Sequence, residues 1–266
     1  MALHFILCAA IIAASLIAVL TARHAQSPKH SEAASQPTGH GAVLVELLVP
    51  EACLSRLPAD ALLREIDDKY YGAHQLVAGL SEHFTYWNQF GWSDPFPASA
   101  FTERQDTYGE RFRLDSVCTP PMVIHGEEQI LGRDSTGLLH ATRKDERHPQ
   151  LVIHIASASM NGNMLDVEFS VSGSLAGHGA DVFAILADET VSSIVLHGEN
   201  SGRTLSHVSV ARTITRLGNL QAETERPFRI PLSVAVQLPP SRGRHLILFA
   251  QVPGFGRVLG VDTRPL

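Results

Sequence analysis

Cysteine is scarce in this chain. Of 266 residues only Cys8, Cys53 and Cys118 carry a thiol. A dithiol at Cys53 would need a second sulfur three residues on, and that place holds Arg56. Basic runs are missing too: no block of five or six Lys or Arg occurs, and the formal net charge is -6, which argues against a general nucleic-acid binder. No glycine-rich phosphate loop, no Ser-His-Asp order and no internal repeat is present. Histidine is plentiful, at 14, but no His-x-x-x-His helix spacing occurs. His24, His30 and His40 give at most weak copper or zinc capture from a tether. No cofactor and no built metal site is expected.

Phe5 to Ala22 is almost wholly apolar, broken by Ser15 and Thr21. Residues 1–25 therefore read as a signal peptide or an N-terminal membrane anchor, and export of the remainder follows from either. Residues 26–41 are rich in Ser, His, Gln and Pro without apolar period, as in a flexible tether. The first folded unit is expected over 42–145, in the order β-α-β-α-β-β-α. Ala42 to Val49 is a buried strand, Pro58 to Tyr70 a helix, and Gln75 to Phe84 the next strand. Tyr86 to Pro97 is an aromatic loop, and Ala98 to Phe112 a second helix. The charged break Lys144 to Pro149 marks a boundary. Over 150–266 the period becomes two, and about eight short strands suggest a β-sandwich.

The stretch Pro50-Glu51-Ala52-Cys53-Leu54-Ser55-Arg56 carries the strongest chemical signal. A thiol just before a helix sits among unpaired N–H groups at the positive end of the helix dipole, and both favour thiolate. Export leaves Cys53 and Cys118 in an oxidising compartment, where an even pair invites a disulfide.

The element order with a cysteine after the first strand resembles a thioredoxin fold. More narrowly, the chain resembles the exported, thioredoxin-like "domain of unknown function 1223" family of bacteria. The matching stretches are Val45-Glu46-Leu47, Cys53, Pro58-Ala59-Asp60, His83, Tyr86-Trp87, Gly91-Trp92, Asp94-Pro95-Phe96, Phe101 to Gln105 and Thr119-Pro120. They continue in the second half with Gly198 to His207. The chain departs from the family pattern at Arg56, which replaces the second Cys, and at Leu57, which replaces a Pro. The acidic residue between His83 and Tyr86 is missing, and Cys118 stands where the family has Tyr. The resemblance implies that Thr119-Pro120 is a cis-proline corner facing the cysteine turn and able to pair with an extended peptide.

Two readings of Cys53 stay open. It is either an activated monothiol, acidified by Arg56, or an inert remnant. Cys118 either lies close enough to act as a relocated partner or points away. The aromatic residues near His83 either line a cleft, with His83 as proton shuttle, or pack on the sheet. His207, Arg203 and Arg212 read as structural. The architecture expected is thus α/β plus all-β: an apolar N-terminal helix, a thioredoxin-like domain and a β-sandwich. The function expected is an exported protein with a degenerate active site and residual thiol–disulfide exchange. Cys53, Arg56, Cys118, Thr119 and Pro120 would carry that exchange. The alternative is a non-catalytic cell-envelope module that binds a protein or peptide partner.

Overall fold

A computed structural model describes residues 42–48, 54–71, 75–83, 99–113, 121–145, 151–173, 175, 179–196, 198–220, 225–231, 238 and 241–266. His40–Leu266 form one compact unit. The elements are β1 (Val43–Leu48), α1 (Arg56–Ile66), β2 (Tyr70–Tyr71), β3 (Gln75–Glu82), α2 (Ser99–Phe112), β4 (Pro121–Ile124), β5 (Glu128–Leu131) and α3 (Ser135–Asp145). They continue with β6 (Val152–Asn161), β7 (Met164–Ser172), β8 (Ala180–Ile194), β9 (Thr204–Leu220), β10 (Glu225–Pro231), β11 (Arg244–Gln251) and β12 (Val258–Pro265).

The strands of the two halves are not confined to two separate sheets. They join in one mixed sheet of order β12-β11-β8-β9-β3-β1-β4-β5, with β2 pairing β3 and a second sheet of order β10-β7-β6. β1 and β3 run parallel, while β4 and β5 are antiparallel to their neighbours. The seam between the halves is the parallel contact of β3 with β9, at Ser81 and Val210. This corrects the expected thioredoxin-like domain followed by a β-sandwich: the structure is mostly β and its large sheet is continuous across both. The expected N-terminal apolar helix and tether lie outside the described residues. Among the described residues, no helix is long and apolar enough to cross a membrane.

Of three large apolar clusters, one is shared between the halves. β1 is buried on both faces, so its apolar run lacks alternation. Val43, Val45 and Leu47 pack with Ala59, Leu63 and Ile66 of α1 and Leu138 of α3. Leu44 lies on the other face with Phe101 of α2, in a cluster that also holds Ile185, Ala211, Ile247, Phe249 and Val261. That core is built from both halves of the chain, so neither half buries it alone. The three-stranded sheet covers the remaining face of β8 and β11, where Ile153, Val167 and Phe169 meet Val182, Leu186 and Leu248. β12 touches β1 and β3 as well as β11, which curls the sheet around the shared core.

The tight turn between β4 and β5 fixes one more cross-link. His125 and Gly126 have φ of 50° and 64°, and Glu127 N donates to Ile124 O at 3.0 Å. Two consecutive positive φ values make this a hairpin turn whose twist matches the strands. His125 Nδ1 accepts from Leu44 N at 3.1 Å, and His125 O accepts from Val258 N at 2.7 Å.

Candidate functional site

Helix α1 begins at Arg56, and Pro58 is tolerated in its first turn because the N–H it lacks has no partner inside the helix there. Arg56, Asp60 and Leu63 recur at helical spacing on the buried face. Arg56 is fully buried and Asp60 is 5% exposed. Arg56 Nε donates to Asp60 Oδ2 at 2.8 Å, and Nη2 reaches Asp60 Oδ1 at 3.3 Å. The same Nη2 lies 2.9 Å from His207 Nδ1 on β9 and 3.3 Å from His83 Nε2 at the end of β3. His207 Nδ1 is 3.3 Å from Asp60 Oδ2, and its Nε2 is 3.3 Å from Ser193 Oγ on β8. The two imidazole rings meet edge to face, centroids 5.2 Å apart. Burial pushes the Asp60 carboxyl up, but the Arg56 charge and its hydrogen bonds outweigh that and hold it at about 2.

Ser193, His207 and Asp60 thus stand in the order of a nucleophile, base and acid. Arg56 changes what they can do. His207 Nδ1 meets two partners at once, a donor in Arg56 Nη2 and an acceptor in Asp60 Oδ2. Arg56 thus competes with His207 for the carboxylate that would orient the imidazole toward Ser193. Ser193 is also buried, at 7% exposure. The buried cation between the two histidines likewise opposes a metal ion, and among the described residues no group of three His, Cys, Asp or Glu is placed to hold one.

Around this network the second half docks on the start of α1. Leu54 N donates to Glu199 Oε2 at 2.8 Å, Arg64 Nη2 donates to Ser206 O, and Leu57 packs on Val195 and Leu205.

A second buried arginine ties the opposite face. Arg104 of α2 is fully buried; its Nε bonds Glu46 of β1, Nη1 donates to Gln251 Oε1 at 3.0 Å and Nη2 to Tyr108 OH at 2.9 Å. Tyr108 OH donates to Glu46 Oε1 at 3.0 Å. The Arg104 guanidinium carbon lies 5.0 to 5.4 Å from the ring centroids of Tyr108, Phe249 and Phe255. Glu82, also fully buried, has one oxygen 3.4 Å from Arg104 Nε. Burial, followed by the adjacent Glu46 charge, drives the Glu82 carboxyl well up. Glu82 and His83 are consecutive, so β3 sends one side chain to each network.

Of the residues singled out in the sequence, Arg56 and His83 come together, and His207 joins them. Cys53, Cys118, Thr119, Pro120 and the aromatic residues 86–96 lie outside the described residues, as does the expected cis-proline corner. Asp60 and Ser193 were missed. The signal for Asp60 was its place four residues after Arg56; Ser193 left none, because only β8–β9 pairing brings it to His207.

This arrangement is built from positions that one family model spans. The chain belongs to the DUF1223 family of proteins of unknown function. The model matches residues 44–251, which takes in the Arg56 network and, apart from Phe255, the Arg104 network. The fold is also similar to that of an Agrobacterium tumefaciens protein whose X-ray crystal structure was solved as a structural genomics target. The TM-score is 0.61 at 21% identity, over 85% of this chain and 94% of that one. At that identity the likeness speaks for the fold alone. No curated protein matches the sequence.

Proposed function

We propose that the protein is a non-catalytic binding protein of the cell envelope, exported through residues 5–22, in which Arg56 stands in place of a lost second thiol. The observation that carries this reading is the buried Arg56–Asp60 ion pair. A guanidinium balanced by a carboxylate that stays ionised lends little field to a sulfur three residues upstream. Leu54, the sequence neighbour of Cys53, already gives its N–H to Glu199, so that donor is taken. Without a thiol at position 56, a mixed disulfide on Cys53 has no internal attack from that position to release it. The partner is a protein or an extended peptide, held along sheet edges such as β5, the terminal strand of the large sheet.

The competing reading, residual thiol–disulfide exchange through Cys53, is supported by the start of α1 three residues later, which favours a thiolate. Catalysed reduction of insulin disulfides separates the two. Wild type and Cys53→Ser are expected to give the same rate as buffer with reductant. A faster wild type that loses its advantage in Cys53→Ser overturns the binding reading. Fractionation of the full chain tests export: recovery in the cytosol alone contradicts it.

A further inference from the structure

Beside the seam between β3 and β9 lies a cavity of about 250 Å³, away from the Arg56 network. Its accessible apolar wall includes Val208 and Pro265, and three carboxyls line it: Asp67, Asp68 and Glu189. Asp67 ends α1, and its Oδ1 accepts from Gly79 N at 2.9 Å. A Cβ on residue 79 would lie 2.6 Å from that oxygen, so glycine there makes room for the carboxyl. Two acids at a helix C-terminus oppose the dipole, where a cation is the favoured charge. The cations nearby are turned to backbone: Arg64 donates to Ser206 O and Lys69 Nζ to Arg64 O. His245, also in the wall, is held down at about 4 by burial, and its Nε2 is 2.9 Å from Ser209 Oγ, so it is neutral at pH 7. The cavity therefore offers negative charge, hydrocarbon and a neutral imidazole, and room for a handful of heavy atoms.

We propose that this cavity binds a primary ammonium on a short alkyl chain, the ammonium against Asp67 and Glu189 and the chain along Val208 and Pro265. Burial, then the Asp68 charge, pushes the Asp67 carboxyl up to about 7 against the Gly79 amide and Lys69, which lower it. A bound ammonium stabilises the carboxylate, so affinity rises as pH passes through 7. Asp68, Glu189, His245, Arg64 and Lys69 are the other titratable or charged groups around it, and His245 has already lost its proton in this range.

The test is titration of the full chain with n-butylamine, charged throughout pH 6 to 8, with 1-butanol as the neutral match, read by NMR shifts. The expected result is binding at least about tenfold tighter for the amine, strengthening about tenfold from pH 6 to pH 8. Asp67→Asn removes both effects. Val208→Phe, which fills the cavity without changing charge, abolishes binding, and Glu189→Gln weakens it while sparing the helix end. Equal affinity for amine and alcohol, no pH dependence, or an unaffected Val208→Phe variant overturns the proposal. A Gly-Lys-Gly peptide assigns the source within it: binding like that of butylamine points to a lysine side chain, and no binding points to a free small amine.

Discussion

Arg56 Nη2 lies 2.9 Å from His207 Nδ1 across 151 residues of chain. The contact joins the helix that follows Cys53 to a strand of the second half. Arg104 repeats the arrangement on the other face, reaching Gln251 across 147 residues. Two buried cations, each bonded to partners from both halves, hold one sheet together. A buried ion pair is not a gain over hydrocarbon of the same shape, but removing one partner strands the other.

Replacing Arg56 is therefore costly for stability whatever becomes of Cys53. Arg56→Cys, which gives Cys53 a second thiol three residues on, leaves Asp60 buried without its cation and is expected to lose about 3–5 kcal/mol in urea unfolding. Adding Asp60→Asn is expected to recover roughly half of that loss, because the stranded charge is gone. Additive losses in the double variant would contradict the coupling.

Acid stability should follow Asp60. Its folded carboxyl, at about 2, is below its ordinary value of 3.8, so its contribution is fully present above about pH 4 and is lost as pH falls through 2. The size is about 2–3 kcal/mol. Melting curves from pH 5 to pH 2 are expected to drop steeply in wild type and to flatten in Asp60→Asn.

Glu82 acts with the opposite sign. Its carboxyl is raised in the folded chain, so its favourable contribution is complete below about pH 4.5 and is lost as pH rises toward the folded value. Glu82→Gln keeps the shape of the protonated acid. It is expected to raise the melting temperature at pH 8 relative to wild type and to flatten the alkaline limb. Asp67, raised to about 7, adds a slope of the same sign between pH 4 and 7, so Asp67→Asn with Glu82→Gln should flatten it further. A Glu82→Gln variant that is less stable at pH 8 would show that the Glu82 carboxyl is not raised in the folded chain.

The β4–β5 turn has its own test. Gly126 has φ of 64°, and a Cβ there would lie 2.5 Å from Gly256 O, a backbone atom. Gly126→Ala combines left-handed strain with that clash and is expected to cost about 2 kcal/mol or more. A Gly109→Ala control, at a helix position with nothing within 4 Å, should be neutral or slightly stabilising. Thermal unfolding of the two variants checks both.

The individual elements are legible in the sequence because each rests on local period: the helix over Leu62 and Ile66, the β1 run, the His125-Gly126 turn. Assembly is not. The acidic stretch after Ala187 reads as a break between two strands, yet β8 runs through it. Asp188 is buried there, taking bonds from Arg212 Nε at 2.6 Å and Arg244 Nε at 2.8 Å on the flanking strands. A charged residue looks like a turn until the partners that neutralise it are in place. For the same reason the boundary near residue 145 looks sharp, while the core that crosses it depends on Leu44 meeting Ile247 and Phe249. At the candidate site, Arg56 is visible as a missing thiol, but its role depends on Asp60 one turn on and His207 far downstream.

The pH dependence of Cys53 alkylation in a Cys118→Ala background tests the central claim most directly, because it reads whether Arg56 acts on the sulfur or is consumed by Asp60. A reactive thiol titrating at or above about 8.5, the free-cysteine value, is the result expected, with Glu199→Gln lowering it. A value well below that, rising when Arg56 is replaced in a variant that still folds, would contradict the account.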